Sequence, residues 1–318
     1  MAKTRRLSIR GGLAAIALLL APAPGGAESL RDAPTFGIDV EIVSLNLAVT
    51  NPRGGTVADV SAQDLAIFED GVRQQVSLFT QEKWPITLAV LIDASASMSQ
   101  ELPTAQAAAL RLLRTLGPQD RALVAQFNER LTILQDFTSD PEALEAAVGS
   151  VETDGETALH TALYITLKDL AAQRREGEME RQALVVLSDG TDTTSAVSAE
   201  QVLELAREGE VNVYTIRPQS TVAAGRPPEP LDKYFLTTLT RETGGRAFFP
   251  AALTELEGVY EGIADELRTL YGVAYASTNA RKDGQWRSIS IRTLRPNLLL
   301  RHRPGYYAAP APRLARGQ

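Results

Sequence analysis

Asp93, Ser95 and Ser97 stand two residues apart, directly after an apolar run at 86–92 rich in Ile, Leu and Val. A carboxylate and two hydroxyls are hard oxygen donors, which suit Mg²⁺ or Ca²⁺ and not zinc or copper. The apolar run is too short for a buried helix and reads as a strand covered on both faces. Pro103 falls in the first turns of a helical stretch running to Leu116, so that helix starts near it. Oxygen donors at the carboxyl end of a central strand occupy the place where open α/β sheets hold their ligands. Taken alone, the pattern also fits side chains that merely cap the next helix.

The rest of the chain must position these groups. At 318 residues it has room for two domains, and 44% hydrophobic with 22% charged residues is enough to bury a core. With no cysteine and two histidines, disulfides and thiol chemistry are absent and a His-based metal or triad site is disfavoured. Lys3, Arg5, Arg6 and Arg10, the apolar stretch 13–21 and the small residues Gly25-Gly26-Ala27 read as a signal peptide cleaved near Ala27. The stretch is too short to span a bilayer. Losing those four positive charges takes the formal charge from −7 to −11. An acidic mature protein argues against nucleic acid as partner.

From Pro85 strands alternate with amphipathic helices, the sequence form of a parallel sheet built from βαβ units. Strands are expected at 86–92, 121–127, 131–135, 183–188, 211–216 and 246–249. Helices are expected at 100–116, 140–150, 157–173, 198–208, 231–243 and 252–270. On either side the pattern is purely of strands. Residues 39–50 alternate with period two, and Leu65–Glu69 with 75–80 flank the hairpin signal Asp70-Gly71. Further strands are expected at 271–278, Trp286–Thr293 and 298–303. Residues 38–80 are too few to close a sandwich alone, so the late strands complete it around an inserted α/β domain. The expected division is a signal peptide at 1–27, half a β-sandwich at 28–84, the α/β domain at 85–270, the other half-sandwich at 271–308 and a tail at 309–318. The charged stretch 174–181 and the Pro-rich stretch 219–230 read as surface connections.

Asp93-Ala94-Ser95-Ala96-Ser97 resembles the D-x-S-x-S signature of von Willebrand factor A domains, where it forms a metal-ion-dependent adhesion site. Gly155-Glu156-Thr157-Ala158-Leu159 looks like that family's Thr loop, and Leu187-Ser188-Asp189-Gly190 like its Asp loop. The resemblance implies a Rossmann-like, doubly wound, mostly parallel sheet. It also implies one divalent cation, Mg²⁺ or else Ca²⁺ or Mn²⁺, held by Asp93, Ser95, Ser97, Thr157 and Asp189. Phe68-Glu69-Asp70-Gly71, Asp283-Gly284-Gln285-Trp286 and Arg303-Pro304-Gly305-Tyr306-Tyr307 resemble flanks of exported bacterial proteins of the von Willebrand factor A-related group.

The family match further implies a binding function. A coordination place left open on the cation receives an Asp or Glu carboxylate from a protein partner. The chain is then exported, periplasmic or secreted, with no membrane span after cleavage, and is not an enzyme. The alternatives are a metal-dependent hydrolase and an envelope assembly or chaperone-like factor. Hydrolysis wants a base beside the ion. Only His160 is close in sequence, and it reads as an ordinary helix residue near the rim, while Asp192 reads as a surface turn. Many family members have Gly where Glu156 stands, so a carboxylate here sits next to the site. Because the helix at 252–270 runs straight into the strand at 271–278, a shift of that helix on binding is expected to reach the sandwich.

Overall fold

The computed structural model describes residues 41–174, 180–218 and 230–310. The expected signal peptide, the lead-in before residue 41, residues 175–179 and 219–229 of the two connections, and the tail from 311 lie outside the described residues. Four strands come first: β1 (Ile42–Thr50), β2 (Leu65–Glu69), β3 (Val72–Gln74) and β4 (Val76–Thr80). The α/β body begins with β5 (Ile86–Asp93), α1 (Leu102–Arg114), β6 (Arg121–Phe127), β7 (Leu131–Thr138), α2 (Pro141–Gly149) and α3 (Leu159–Ala172). It continues with β8 (Arg181–Leu187), α4 (Ala199–Glu208), β9 (Val211–Ile216), α5 (Pro230–Thr243), β10 (Arg246–Phe248) and α6 (Leu256–Thr269). The chain then returns to strands: β11 (Tyr271–Ala276), β12 (Trp286–Thr293), β13 (Leu299–Arg301) and β14 (Gly305–Tyr307).

The body is a doubly wound α/β layer. Its sheet runs β10-β9-β8-β5-β6-β7, parallel except for β7, which pairs antiparallel with β6. All of β5 is buried. Leu88, Val90 and Ile92 enter the layer under α1, α2 and α6, while Ala89 and Leu91 enter the one under α3, α4 and α5. Cover on both faces is what makes this strand one unbroken apolar run. Each buried Val, Leu or Ile contributes about 1.5–3 kcal/mol, which fixes β5 as a rigid support. Strand order reverses at β5, with β6 on one side and β8 on the other, so the ends of β5 and β8 flank a topological switch point.

The early and late strands interleave in two four-stranded sheets, β13-β1-β11-β4 and β14-β12-β2-β3. Between them lie Val43, Leu45, Leu47, Ile67, Val273 and Ile289. Two details differ from the sequence reading. The hairpin partner of β2 is not the expected strand 75–80 but the unforeseen β3, while 76–80 runs as β4 in the other sheet against β11. Residues 305–307 form a strand that was read only as a motif, pairing with β12. Asp70 and Gly71 both have positive φ, 47° and 82°, as a two-residue hairpin turn requires.

The flanking motifs also have a structural use. Buried Glu69 accepts hydrogen bonds from Tyr275 (2.9 Å), Ser277 (2.7 Å) and Tyr306 (3.1 Å), which joins the two sheets through one carboxylate. Gly244 (φ 75°) and Gly245 end α5. A Cβ on Gly245 would come 1.9 Å from the Val213 carbonyl oxygen, so only glycine lets the chain pass. Helix α4 starts in a capping box, Ser198 with Gln201. Ser198→Ala is expected to lower unfolding free energy by about 1 kcal/mol in urea denaturation.

Candidate metal centre

Asp93 is the last residue of β5 and fully buried. Its Oδ1 accepts the Ser95 backbone N–H (2.9 Å), which folds the chain back into a short 3-10 turn at Ala96–Met98. Ser95 Oγ then lies 3.0 Å from Ser97 Oγ. Ser97 Oγ donates to Asp189 Oδ2 (2.9 Å), a contact between strand ends 92 residues apart in sequence. Helix α1 has Glu101 as its N-cap, with no side-chain cap, so Ser95 and Ser97 are not spent on capping it.

Asp189 follows β8. Its Oδ1 accepts the Thr191 N–H (2.9 Å), and Gly190 turns the loop at φ 83°. The Thr loop is bound to both other loops through backbone. Ala96 N–H donates to the Gly155 carbonyl (3.1 Å), and Asp154 N–H to the Ala94 carbonyl (2.8 Å). On the other side Thr157 N–H donates to Thr193 Oγ1 (3.1 Å), and Thr193 and Thr194 N–H donate to the Thr157 carbonyl (2.9 and 3.2 Å). The five expected residues therefore sit on three loops in mutual contact. Asp93, Ser95, Ser97 and Asp189 form a continuous chain of polar contacts with Ser188. Thr157 is buried beside them, and among the described residues its hydroxyl has no hydrogen-bond partner. Glu156 is exposed on the same loop.

Two groups here have roles that the sequence reading did not give them. Ser188 donates to Asp93 Oδ2 (2.5 Å) and accepts from Gly190 N–H (3.0 Å), so it orients the central carboxylate. Its position one residue before Asp189 was the available signal. Asp192, read as a surface turn, instead takes the N–H of His160 (3.1 Å) on its Oδ1, lies 3.2 Å from His160 Nδ1, and accepts from Ser195 Oγ (2.6 Å). It caps the start of α3 from the Asp loop, while the His160 ring packs edge-on against Phe235 (4.5 Å). Burial would raise the Asp192 carboxyl, but the bonds from His160 and Ser195 hold it below its ordinary value. Asp192→Ala is expected to lower the melting temperature by a few degrees, matching loss of a cap worth about 1 kcal/mol, read by differential scanning calorimetry.

The donor set suits a hard divalent ion. Among the described residues no three His, Cys, Asp or Glu gather, so the site is two carboxylates and three hydroxyls, without the ligands zinc or copper prefer. Burial pushes the Asp93 carboxyl up to about 6, against the hydrogen bonds of Ser188 and Ser95 and with the Asp189 charge adding to the rise. Two buried carboxylates this close repel, and a cation between their loops relieves that repulsion. Ser97 is exposed while Asp93, Ser95, Thr157 and Asp189 are buried, so the donors at the sheet's carboxyl edge reach the surface at Ser97.

The family model of the von Willebrand factor type A domain matches residues 88–191, which contain all five. Among solved structures, a von Willebrand factor type A protein from Catenulispora acidiphila is similar at 12% identity and TM-score 0.50, covering 86% of this chain and 76% of that one. The protein BatB from Bacteroides thetaiotaomicron is 17% identical (TM-score 0.45), covering 57% of this chain and 98% of that one. The vWF domain of the type V pili tip protein Mfa5 from Porphyromonas gingivalis is 12% identical (TM-score 0.48), covering 58% and 95%. No match is found among curated proteins. At such identity the likeness to the Catenulispora structure concerns the fold alone. The match to the von Willebrand factor type A model is thus one of residues 88–191, about a third of the chain, and the likeness around it is one of fold.

Proposed function

We propose that this chain is an exported protein-binding module of the von Willebrand factor A-related group, acting through one Mg²⁺-type ion and not as an enzyme. The von Willebrand factor type A match supports a protein-interaction module. The observation that carries the metal reading is the 2.9 Å contact from Ser97 to Asp189, which joins the first and third loops at one point. Ser95, Ser97 and Thr157 present hydroxyl oxygens, and Asp93 and Asp189 hold negative charge, directly or through water. A bound divalent cation supplies an open coordination place for a carboxylate oxygen from a partner's Asp or Glu. Hydrolysis would want a free base beside the ion. The one nearby imidazole, His160, has its Nδ1 beside Asp192 and its ring on Phe235. Periplasmic or secreted placement rests on the basic and apolar start of the sequence.

A pull-down from envelope extract tests this reading. Wild type is expected to capture a partner in Mg²⁺ and to release it in EDTA, and Asp93→Ala is expected to capture none. Equal capture under all three conditions overturns it. Glu156→Gln removes a like charge from the rim and is expected to tighten capture of an acidic partner, read as a slower dissociation rate by surface plasmon resonance.

A further inference from the structure

A cavity of about 480 Å³ lies at the opposite, amino-terminal edge of the six-stranded sheet, facing the outer side of the β13-β1-β11-β4 sheet. From Gln182 at its wall to Ser188 at the metal centre is six strand residues, about 20 Å, so the two sites are separate. The volume falls within the range of small-molecule pockets, and such pockets favour the seams between packed layers.

Strand alternation builds one wall. Val43 and Leu47 of β1 enter the sandwich core, while Ile42, Ser44 and Asn46 point the other way, onto the cavity. With Leu78, Ala274 and Trp84 they give a largely apolar surface. The Trp84 ring is seated directly on β11: a Cβ on Gly272 would come 2.2 Å from Trp84 Cη2.

The polar end is built around Glu210. Ser44 Oγ donates to it (3.3 and 3.4 Å), and both Arg174 and Arg303 pair with it, Arg303 at 3.4 Å. Arg303 also donates to the Ser44 carbonyl (2.9 Å), and its buried Nε has no partner. The Arg174 side chain is 51% exposed at the mouth. The other carboxylate of the lining, Glu180, is answered by Arg121 at 3.7 Å and by donors on Thr87 and Gln182. Two guanidiniums thus share one carboxylate, which leaves an excess positive charge beside an apolar wall. Burial disfavours the charged form of Arg303, so a counter-anion there gains more than it would in open solvent.

We infer that this cavity binds a small amphipathic carboxylate, its head on the cavity side of Arg174 and Arg303 and its apolar body against Trp84, Leu78, Ile42 and Ala274. Guanidinium forks match carboxylate geometry, and the aromatic and aliphatic wall selects against small hydrophilic acids. The bound acid touches β1, β4 and β11 of the sandwich as well as β8 and β9 of the α/β body, so it ties the two layers together. The inference does not rest on the metal centre.

Octanoate is the probe, titrated calorimetrically into the full chain, with octanol and octylammonium as neutral and cationic counterparts of the same length. Saturable one-to-one binding of octanoate is expected, with octanol weaker by about tenfold or more and octylammonium giving no saturation. Arg174→Gln and Ile42→Asp, both at exposed positions, are each expected to weaken octanoate by about tenfold while the melting temperature of the free protein stays unchanged. Equal affinity for octanoate and octanol, preference for octylammonium, or no saturation of octanoate up to about 10 mM overturns the inference. So does unchanged octanoate affinity in both variants.

Discussion

Mg²⁺ titrated into the metal-free protein is expected to bind one to one, and Asp93→Ala to abolish the heat of binding. The carboxylate is the centre of the arrangement. One of its oxygens holds the turn that brings Ser95 and Ser97 into line, and the other is held by Ser188 on the Asp loop. Alanine therefore removes both the charge and the anchor of two loops. Asp93→Asn separates these effects: it keeps the size and an acceptor for the turn but drops the charge, and it too is expected to lose Mg²⁺. Ser97→Ala, by contrast, removes one hydroxyl from an exposed turn, and affinity is expected to fall by one to two orders of magnitude, about 1.4–2.8 kcal/mol. In the absence of metal, relief of the repulsion between Asp93 and Asp189 offsets part of what Asp93→Ala loses with the bonds from Ser95 and Ser188. Binding of Mg²⁺ to Asp93→Ala with wild-type affinity would place the ion elsewhere.

The second large effect concerns Arg181, at the far edge of the same sheet. This residue opens β8 and is 1% exposed. Its guanidinium donates to the carbonyls of Leu267 (2.8 Å), Leu270 (2.5 Å) and Glu82 (3.1 Å) and lies over the Trp84 ring, 5.6 Å from its centre. The last carbonyls of a helix have no partner within it, and here Arg181 supplies one for the end of α6. It thereby fastens α6, the segment entering β5 and β8 at the junction with the sandwich. Burial lowers its pKa to about 10, so the group is still charged at neutral pH.

Arg181→Ala strands three carbonyls and leaves a hole, and unfolding free energy is expected to fall by about 3–5 kcal/mol in urea denaturation. Arg181→Met fills most of the space without donors and is expected to recover only the smaller part of that loss. Native-state hydrogen exchange should quicken first in α6 and β11, which Arg181 secures. A loss below about 1 kcal/mol in Arg181→Ala would show that water or neighbouring groups satisfy these carbonyls equally well. This clasp also bears on transmission between the site and the sandwich. Exchange of residues 256–276 compared with and without Mg²⁺ reads whether α6 responds to the ion, and identical protection excludes it.

The α/β body was legible in the sequence because its signals are local. A strand covered on both faces writes itself as an unbroken apolar run, as at Ile86–Asp93, and an amphipathic helix writes itself with a 3.6-residue period. Asp140 before Pro141 announced the start of α2, and its side chain does accept the Glu142 N–H (3.0 Å). The interleaving of the sandwich was only half legible. Alternation along residues 42–50 marks a strand with one buried face, but nothing in it says that β11 and β13 are its neighbours or that β3 and β4 part at Gln75. Pairing partners are chosen by which apolar faces meet, a property of segments more than 200 residues apart.

At the candidate site the residue types and their order, Asp93-x-Ser95-x-Ser97, then Thr157, then Asp189, stood in the sequence. Type and order settle which oxygens are on offer. Whether they meet was decided by tertiary structure, through the parallel register of β5 against β8 that brings Asp93 and Ser188 side by side. The supporting groups were silent in the sequence for the same reason. Ser188, Asp192 and Arg181 act through partners 95, 32 and 89 residues away, and a side chain's role is set by what it faces once the backbone has folded.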